Sequence, residues 1–469
     1  MKAMRIPATP PRTVNKIEDF RQMAHEELDR FIDKLIPFLE SEKPMTLQEI
    51  SDLFQKEKHQ LLGGLLQRAV EINHRDCMEG KNDKCPLCGR KATRKRNADR
   101  HVETLQGPSQ FQSPYFYCDH CCYGFSPLDS ALELAPERKQ YDLQRKALSV
   151  IAEMPFETAS RIFKELTGIN FSDSRLHGLF EKFTDQMTLS DVIPDRSEIE
   201  RRIRQAAGEN SSRRPIMVVA SDGAHVPSRA SDDKQWGPGE YREAKGFRIY
   251  MVGQDRNIHQ LMSWHQIQDA DSFCMDIKQA AACIPIDKVR IALIGDGAGW
   301  LWRAMKQAFP SGREVLDYYH CSEHIHDLAK SLYSSETLEA LQWAESTMSR
   351  LFHHEVVEVI EDLNRIETQN KDVKDQIRKL IGYLSNNQDR IHYAGDRRGG
   401  YPIGSGGIES ANKFICHTRL KRSGAWWLNE NSNGILRVRC SIVNGTFDKA
   451  FSKYVTLAKA KKLRSSPNS

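Results

Sequence analysis

The chain of 469 residues carries 68 Lys and Arg against 63 Asp and Glu, a net charge of +5, with 39% hydrophobic and 28% charged residues. That composition suits several globular domains and excludes a collagen, a wholly disordered chain and a membrane-spanning protein, since no apolar run reaches bilayer length. The excess positive charge is too small to establish a polyanion partner by itself, and the opening MKAMRIPATPPRTVNK lacks the apolar stretch of a secretion signal, so a cytoplasmic address is expected.

Residues 1–81 show three-to-four-residue apolar spacing through Phe20, Met23, Leu28, Phe31, Leu35 and Phe38, then from Ile50 to Leu65 after a start at Pro44 and Thr46. This predicts a helical region without evident chemistry. Residues 82–135 change character, with CPLC at 85–88, CDHCC at 118–122 and alternating aromatics between them. Two CxxC knuckles separated by a strand-rich span predict a zinc ribbon in which Cys85, Cys88, Cys118 and Cys121 fill a tetrahedral, structural Zn²⁺ site; Cys122 and His120 are the substitutes. Arg90, Lys91, Arg94, Lys95, Arg96 and Arg100 crowd the same stretch against one acid, Asp99. Taken singly such a cluster is an ordinary solvated face; beside a ribbon it predicts phosphate contact by Arg94, Lys95 and Arg96.

Residues 136–190 carry three short apolar stripes: Leu143 to Ile151, Ala159 to Leu166, and Leu176 to Phe183. Gly168 stops the second and Ser172 or Ser174 caps the third, which predicts a helix-turn-helix with Arg175, His177 and Lys182 exposed on its recognition helix. Residues 191–214 read as a charged linker.

PIMVVASDGAHV (215–226) and KVRIALIGDGAGWLW (288–302) are apolar, β-branched runs that end in Asp222 and Asp296. Each describes a buried strand delivering a carboxylate at its end, and two such carboxylates on neighbouring strands can share a divalent ion. An Asp-Gly pair is also a turn signal, so neither decides alone. A third acid moves the balance. Glu409 sits in the first turn of a helix that follows the glycine-rich YPIGSGG, with Asn412, Lys413 and Cys416 at helical spacing from it and the basic group Lys413, Arg419, Lys421 and Arg422 directly after. Residues 449–469 form a basic tail.

The order SDG, GDGAGWLW, DYYHCSEH and GSGGIES, together with the ribbon, its sequel GFSPLDSALEL and the predicted helix-turn-helix, strongly resembles bacterial insertion-sequence transposases of the DDE class. The Kra group is the nearest and the Mutator-like transposases are further off; the resemblance spans roughly residues 82–445. It implies a multidomain α/β (α+β) protein whose ribonuclease-H-like catalytic domain, 215–324 and 398–448, is interrupted by a helical insertion at 325–397 showing the stripe Leu338, Leu341, Ala344, Met348 and Leu351. It further implies Asp222, Asp296 and Glu409 as catalytic acids holding two Mg²⁺ or Mn²⁺ ions, with Asp222 bridging them and Asp317 in reserve. Cys321 and His324 match the Cys-x-x-His of the Mutator-like relatives and are assigned a supporting part, and Lys413 and Arg419 are phosphate contacts. The implied activity is binding of terminal inverted repeats in double-stranded DNA, strand cleavage, and transfer to target DNA. A homodimer or larger synaptic assembly on the bacterial nucleoid follows, with no membrane partner. The rival readings are a DNA-binding regulator with an inert domain and a ribonuclease-H-like nuclease without strand transfer.

Overall fold

The computed structural model describes residues 16–40, 43–81, 83–207, 214–229, 239–253, 257–333 and 337–464. The first expected feature, the opening segment up to residue 15, lies outside them, as do 208–213 of the linker and the last five residues of the tail. The chain is a mixed α/β protein that divides into two units at Leu179/Phe180 and Ala450/Phe451. Among the described residues no helix is long and apolar enough to cross a membrane.

The first unit opens with α1 (Lys16–Leu39) and α2 (Leu47–Asn73), whose start is fixed by a reciprocal capping box between Thr46 and Glu49. Phe31 and Phe54 meet edge to face at 5.4 Å, and Lys34 pairs with Glu57 at 2.7 Å. After α3 (Arg75–Glu79) come β1 (Thr93–Thr104), β2 (Gly107–Cys118) and β3 (Tyr123–Phe125), an antiparallel sheet in that order. The N-terminal helices and the ribbon, separate by sequence, pack together. A Cβ on Gly63 of α2 would stand 2.3 Å from the carbonyl oxygen of Pro108, and Ser109 Oγ donates to the Gly63 carbonyl at 2.9 Å. Only glycine allows that approach of helix to strand.

Then follow α4 (Pro127–Ala131), α5 (Tyr141–Glu153), α6 (Phe156–Thr167) and α7 (Asp173–Thr184). Gly168 ends α6 at φ +74°, as its position predicted, and Phe163 packs on Phe171 at 6.0 Å across the turn. Leu143, Ala147, Ile151, Ala159, Leu176 and Phe183 of the predicted stripes are buried, but Leu166 is 71% exposed.

In the second unit α8 (Leu189–Val192) leads to α9 (Arg196–Ala207). The described part of the expected linker is thus largely helix, and it is packed: Ile199, Ile203 and Ala206 are buried, and Arg202 donates to the carbonyls of Leu261 and Asn444. Its many charges line the other face, which is why composition alone suggested a linker. The sheet follows, with β4 (Ile216–Arg229), β5 (Glu240–Val252), β6 (Ile258–Ile267), α10 (Ala270–Ala282), β7 (Arg290–Gly295), α11 (Gly299–Ala308) and β8 (Arg313–Leu316). Strand order is β6-β5-β4-β7-β8; β4, β5 and β6 are antiparallel neighbours, while β7 and β8 run parallel to β4. Met217 to Ala220 and Ala292 to Ile294 are fully buried, as strands covered on both faces must be.

Five helices come next: α12 (Tyr318–Tyr333), α13 (Leu338–Phe352), α14 (Val356–Arg365), α15 (Lys371–Asn387) and α16 (Tyr393–Arg398). These helices run from 318 to 398, so the helical stretch starts before residue 325, where the insertion was expected to begin. On α13 the buried stripe is Ala340, Ala344, Thr347, Met348 and Leu351, so Leu338 and Leu341 face outward instead. The unit closes with α17 (Gly406–Ala411), a π-helical turn at Asn412–His417, α18 (Thr418–Leu420), β9 (Trp427–Leu428), which pairs with the end of β4, and α19 (Asn429–Asn444). Phe247 meets Phe273 of α10 at 6.1 Å on one sheet face, while Arg248 donates to the Gly407 carbonyl of α17 at 2.7 Å on the other. The last helix, α20 (Phe447–Arg464), covers most of the expected basic tail; Tyr454 is buried and its hydroxyl donates to Gln144 at 3.2 Å.

Candidate metal centre and active site

The thiol site forms locally. Gly89, at φ +70°, turns the first knuckle so that its N–H reaches the Cys85 carbonyl at 2.8 Å, and the 118–121 knuckle is the turn between β2 and β3. The ligand atoms of Cys85, Cys88, Cys118 and Cys121 all lie within 4.8 Å of one another, and Cys88 and Cys118 Sγ are 3.7 Å apart. Thiolates about 2.3 Å from a shared Zn²⁺ in a tetrahedron stand about 3.8 Å apart, so the geometry fits that ion. The Arg90 backbone N–H and the neighbouring thiols pull Cys88 down to about 6, while Cys121 is pushed up by the same crowding. Phe116, Tyr123 and Phe125 wall the cluster. Cys122 is exposed with its Sγ toward the Asp119 carbonyl, and neither it nor His120 joins the group.

The carboxylate site is assembled over a longer range. Ala220 of β4 pairs with Ile294 of β7, so Asp222 and Asp296, each two residues further on, stand at matched positions past the paired stretch of two parallel neighbours. Asp222 Oδ1 accepts the Gly223 N–H at 2.7 Å and its Oδ2 accepts Asn412 Nδ2 at 2.7 Å, leaving one lone pair on each oxygen. Asp296 Oδ1 accepts the Ala298 N–H at 3.0 Å, which folds the Asp-Gly turn, and its carbonyl accepts the Tyr383 hydroxyl at 3.0 Å. Burial, and then the charges of Asp296 and Glu409, raise the Asp222 pKa to about 6. The three acids therefore share one electrostatic neighbourhood. They do not close as the thiols do: among the described residues, the four cysteines are the one group of three or more such ligands within 4.8 Å.

Glu409 rides on α17, exposed, and its Oε1 accepts Ser405 Oγ at 3.1 Å. The helix carrying it is tied down by residues that the sequence reading placed elsewhere or missed. Asp317, the reserve acid, is 1% exposed and spends both oxygens on backbone: Oδ1 on Tyr319 and His320, which starts α12, and Oδ2 on Ser405. It tethers the start of α12 to Ser405. Arg439 donates to the Phe414 and Ile415 carbonyls that the π turn leaves open. A π turn inserts one residue and shifts the helix face, a feature common at functional sites.

No protein-family model and no curated protein matches this chain. Among solved structures it is similar to the Drosophila P element transposase strand transfer complex at 9% identity, with 66% of this chain and 79% of that chain covered. The TM-score is 0.24, and at that level nothing about fold or activity follows.

The remaining predicted residues separate into surface and interior. Arg94, Lys95, Arg96, Arg175, Lys182 and Lys413 are exposed. A bulge in β1 between Arg94 and Arg96 lets two consecutive cations share a face, Lys95 over the Tyr117 ring and Arg96 over Tyr115. Arg419 is different: it is fully buried with its guanidinium 4.7 Å from the Trp427 ring centroid, which corrects the expectation of a phosphate contact. Its charge read as surface because the helix it continues is basic. Cys321 points into the core, and burial pushes its thiol up to about 12. His324 meets the Tyr383 ring at a tilt at 4.6 Å and His320 edge to face at 4.7 Å. His320, which lowers the Asp222 pKa slightly, was not singled out by any motif.

Proposed function

We propose that this protein is a DNA transposase of the DDE class that binds the terminal inverted repeats of an insertion sequence, cuts at their ends and joins them to target DNA. One observation carries the reading: Asp222 and Asp296 stand at matched positions on two parallel central strands, and Glu409 on the late helix is close enough to raise the Asp222 pKa. The sheet supports a ribonuclease-H-like fold, because its first three strands are antiparallel and its fourth and fifth run parallel to the first.

Asp222, Asp296 and Glu409 offer only oxygen, a donor set that suits Mg²⁺ or Mn²⁺. Two such ions, when bound, polarise the scissile phosphate and lower the pKa of the attacking water or hydroxyl. Asp222 would hold such ions through the lone pair left on each of its oxygens, with Asp296 and Glu409 completing the donor set. Water attacking phosphorus breaks the P–O bond at the element's end and frees a 3′-hydroxyl. That hydroxyl then attacks a target phosphate: the new P–O ester forms as the target's own P–O3′ bond breaks, and the proton lost by the attacking hydroxyl is balanced by one taken up by the released target 3′-oxygen, with no covalent protein–DNA intermediate. Lys413 contacts the phosphate chain beside the acids.

Recognition belongs to elements earlier in the chain. The exposed Arg94, Lys95 and Arg96 on the ribbon grip phosphates, and α6, its Gly168 turn and α7 act as a helix-turn-helix presenting Arg175, with Lys182 further along the same helix. The thiol cluster takes a structural zinc. Pairing two element ends calls for a dimer or larger assembly on nucleoid DNA.

The test is a strand-transfer assay with Mg²⁺, pre-cut ends and a supercoiled target, with wild type and Asp222→Asn run side by side. Joined product from wild type alone is expected. Specific end binding with no metal-dependent cutting would make the protein a regulator, and cutting without joining would make it a nuclease.

A further inference from the structure

We propose that Asn412 and His265 form a positioning pair that locks the Asp222 carboxylate in its metal-holding orientation, with Gly246 providing the space they occupy. The proposal rests on the reading of Asp222 as a metal-holding acid and assigns three residues beyond it.

Asp222 on β4 pairs directly with Gly246 on β5, and Gly246 with His265 on β6. Direct partners point to the same sheet face, so the three make one row across three strands. Two strand spacings separate Asp222 from His265, about 9–10 Å, too far for a hydrogen bond. The middle position has no side chain. A Cβ on Gly246 would lie 2.2 Å from His265 Cδ2, so the imidazole fills the place that any larger residue would take. Asn412 closes the remaining gap: Nδ2 donates to Asp222 Oδ2 at 2.7 Å, and Oδ1 is 3.0 Å from His265 Nε2.

The chemistry dictates the direction of each bond. An ionised carboxylate only accepts, so Asn412 must turn its amide nitrogen toward Asp222. Its carbonyl oxygen then needs a donor, and His265 Nε2–H is the one in reach. His265 is fully buried, and burial pushes its pKa down to about 4, so at neutral pH it carries a single N–H. Nδ1 is left as an acceptor, and Cys440 Sγ lies 3.9 Å from it. Burial keeps that thiol protonated, so it can donate. The order Cys440, His265, Asn412, Asp222 is thus a one-way chain of donors. Without the His265 donor, the Asn412 amide can flip and face Asp222 with its oxygen. Asn412 also opens the π turn three residues after Glu409, so one side chain fixes the first acid to the helix bearing the third.

The test uses the full-length chain and three readouts. Calorimetric titration with Mn²⁺ should show affinity roughly 10–100-fold weaker in Asn412→Ala and His265→Leu, the usual effect of removing a partner behind a ligand. His265→Gln keeps a donor and should recover to within about threefold of wild type. Combining Asn412→Ala with His265→Leu should add almost nothing to either alone, as expected for one chain of contacts. Equal losses in the Gln and Leu variants, or additive losses in the double variant, would overturn the proposal. The third readout needs no variant to fold: ¹⁵N spectra of the histidine-labelled wild type should show His265 as the Nε2–H tautomer, and the Nδ1–H tautomer would overturn it. Wild type that binds Mn²⁺ yet neither cuts nor joins DNA would refute the proposed function and leave the positioning pair standing.

Discussion

Four thiols in one unit lie within 4.8 Å of one another, while three carboxylates in the other share a field without reaching that limit. Part of the difference is chemical. Thiols can approach closely, whereas ionised carboxylates repel; burial raises Asp222 to about 6, and the charges of Asp296 and Glu409 add to that rise. The rest is topological. The thiols come from two tight turns on one small sheet, where each knuckle is complete within four residues. The acids come from β4, from the turn after β7 and from α17, so their spacing depends on everything that holds those elements together. A metal site made by local turns is set once its sheet forms, while one assembled from distant elements is tuned by residues such as Asp317, Arg248 and Asn412.

The comparison breaks most visibly if the thiol site survives the loss of a ligand. Cys85→Ser or Cys118→Ser should remove zinc and unfold the ribbon, costing on the order of 10 kcal/mol of metal-linked stability, as read by metal content and thermal melting. Cys122→Ser should change neither, and equal zinc loss there would reassign the ligand set. In the acid site the corresponding variants should fold normally and lose function instead. Asp222→Asn, Asp296→Asn and Glu409→Gln should each lower cleavage roughly a thousandfold with end binding retained. Near-full activity in any one would remove that residue from the site.

Protonation sharpens the contrast. Cleavage should fall about tenfold per pH unit below pH 6, because a proton on Asp222 competes with the metal. Metal-free stability should run the other way. The native Asp222 holds its proton more tightly than the unfolded chain does, so this contribution is complete below about pH 4 and is lost as pH rises through about 6. Asp222→Asn should consequently melt higher than wild type at pH 7.5 without metal, by about 1–2 kcal/mol. A lower melting point would mean that the carboxylate is not under strain. The smallest effects belong to the exposed cations. Replacing Lys95 or Arg96 by Ala should weaken binding to all DNA sequences alike and reduce the salt slope by about 1 each.

Much of this was legible in the residues alone, though unevenly. The knuckles were readable because a zinc ligand set is built from neighbours in sequence. Asp222 and Asp296 were readable because an apolar run followed by Asp-Gly stands out, although β4 does not end there as expected but runs on to Arg229, and Glu409 because glycines and cations flank it. Arg419 was misread since its charge suggested solvent, while Trp427, which covers it, arrives from a later strand. The helix α9 was misread because three apolar residues, Ile199, Ile203 and Ala206, carry its burial among many charges. Nothing in HQLMSWH marks His265, and nothing in the β5 run marks Gly246.

By itself the sequence determined the two cysteine knuckles and the placing of Asp222 and Asp296 on or directly after apolar strands, because those depend on spacing within one turn or strand. Only the tertiary structure decided that Asp222, Gly246 and His265 form one row bridged by Asn412, and that Asp317 serves the backbone. Those outcomes turn on strand register and on which helix lands on which sheet face, and both are set by the packing of residues far apart in the chain.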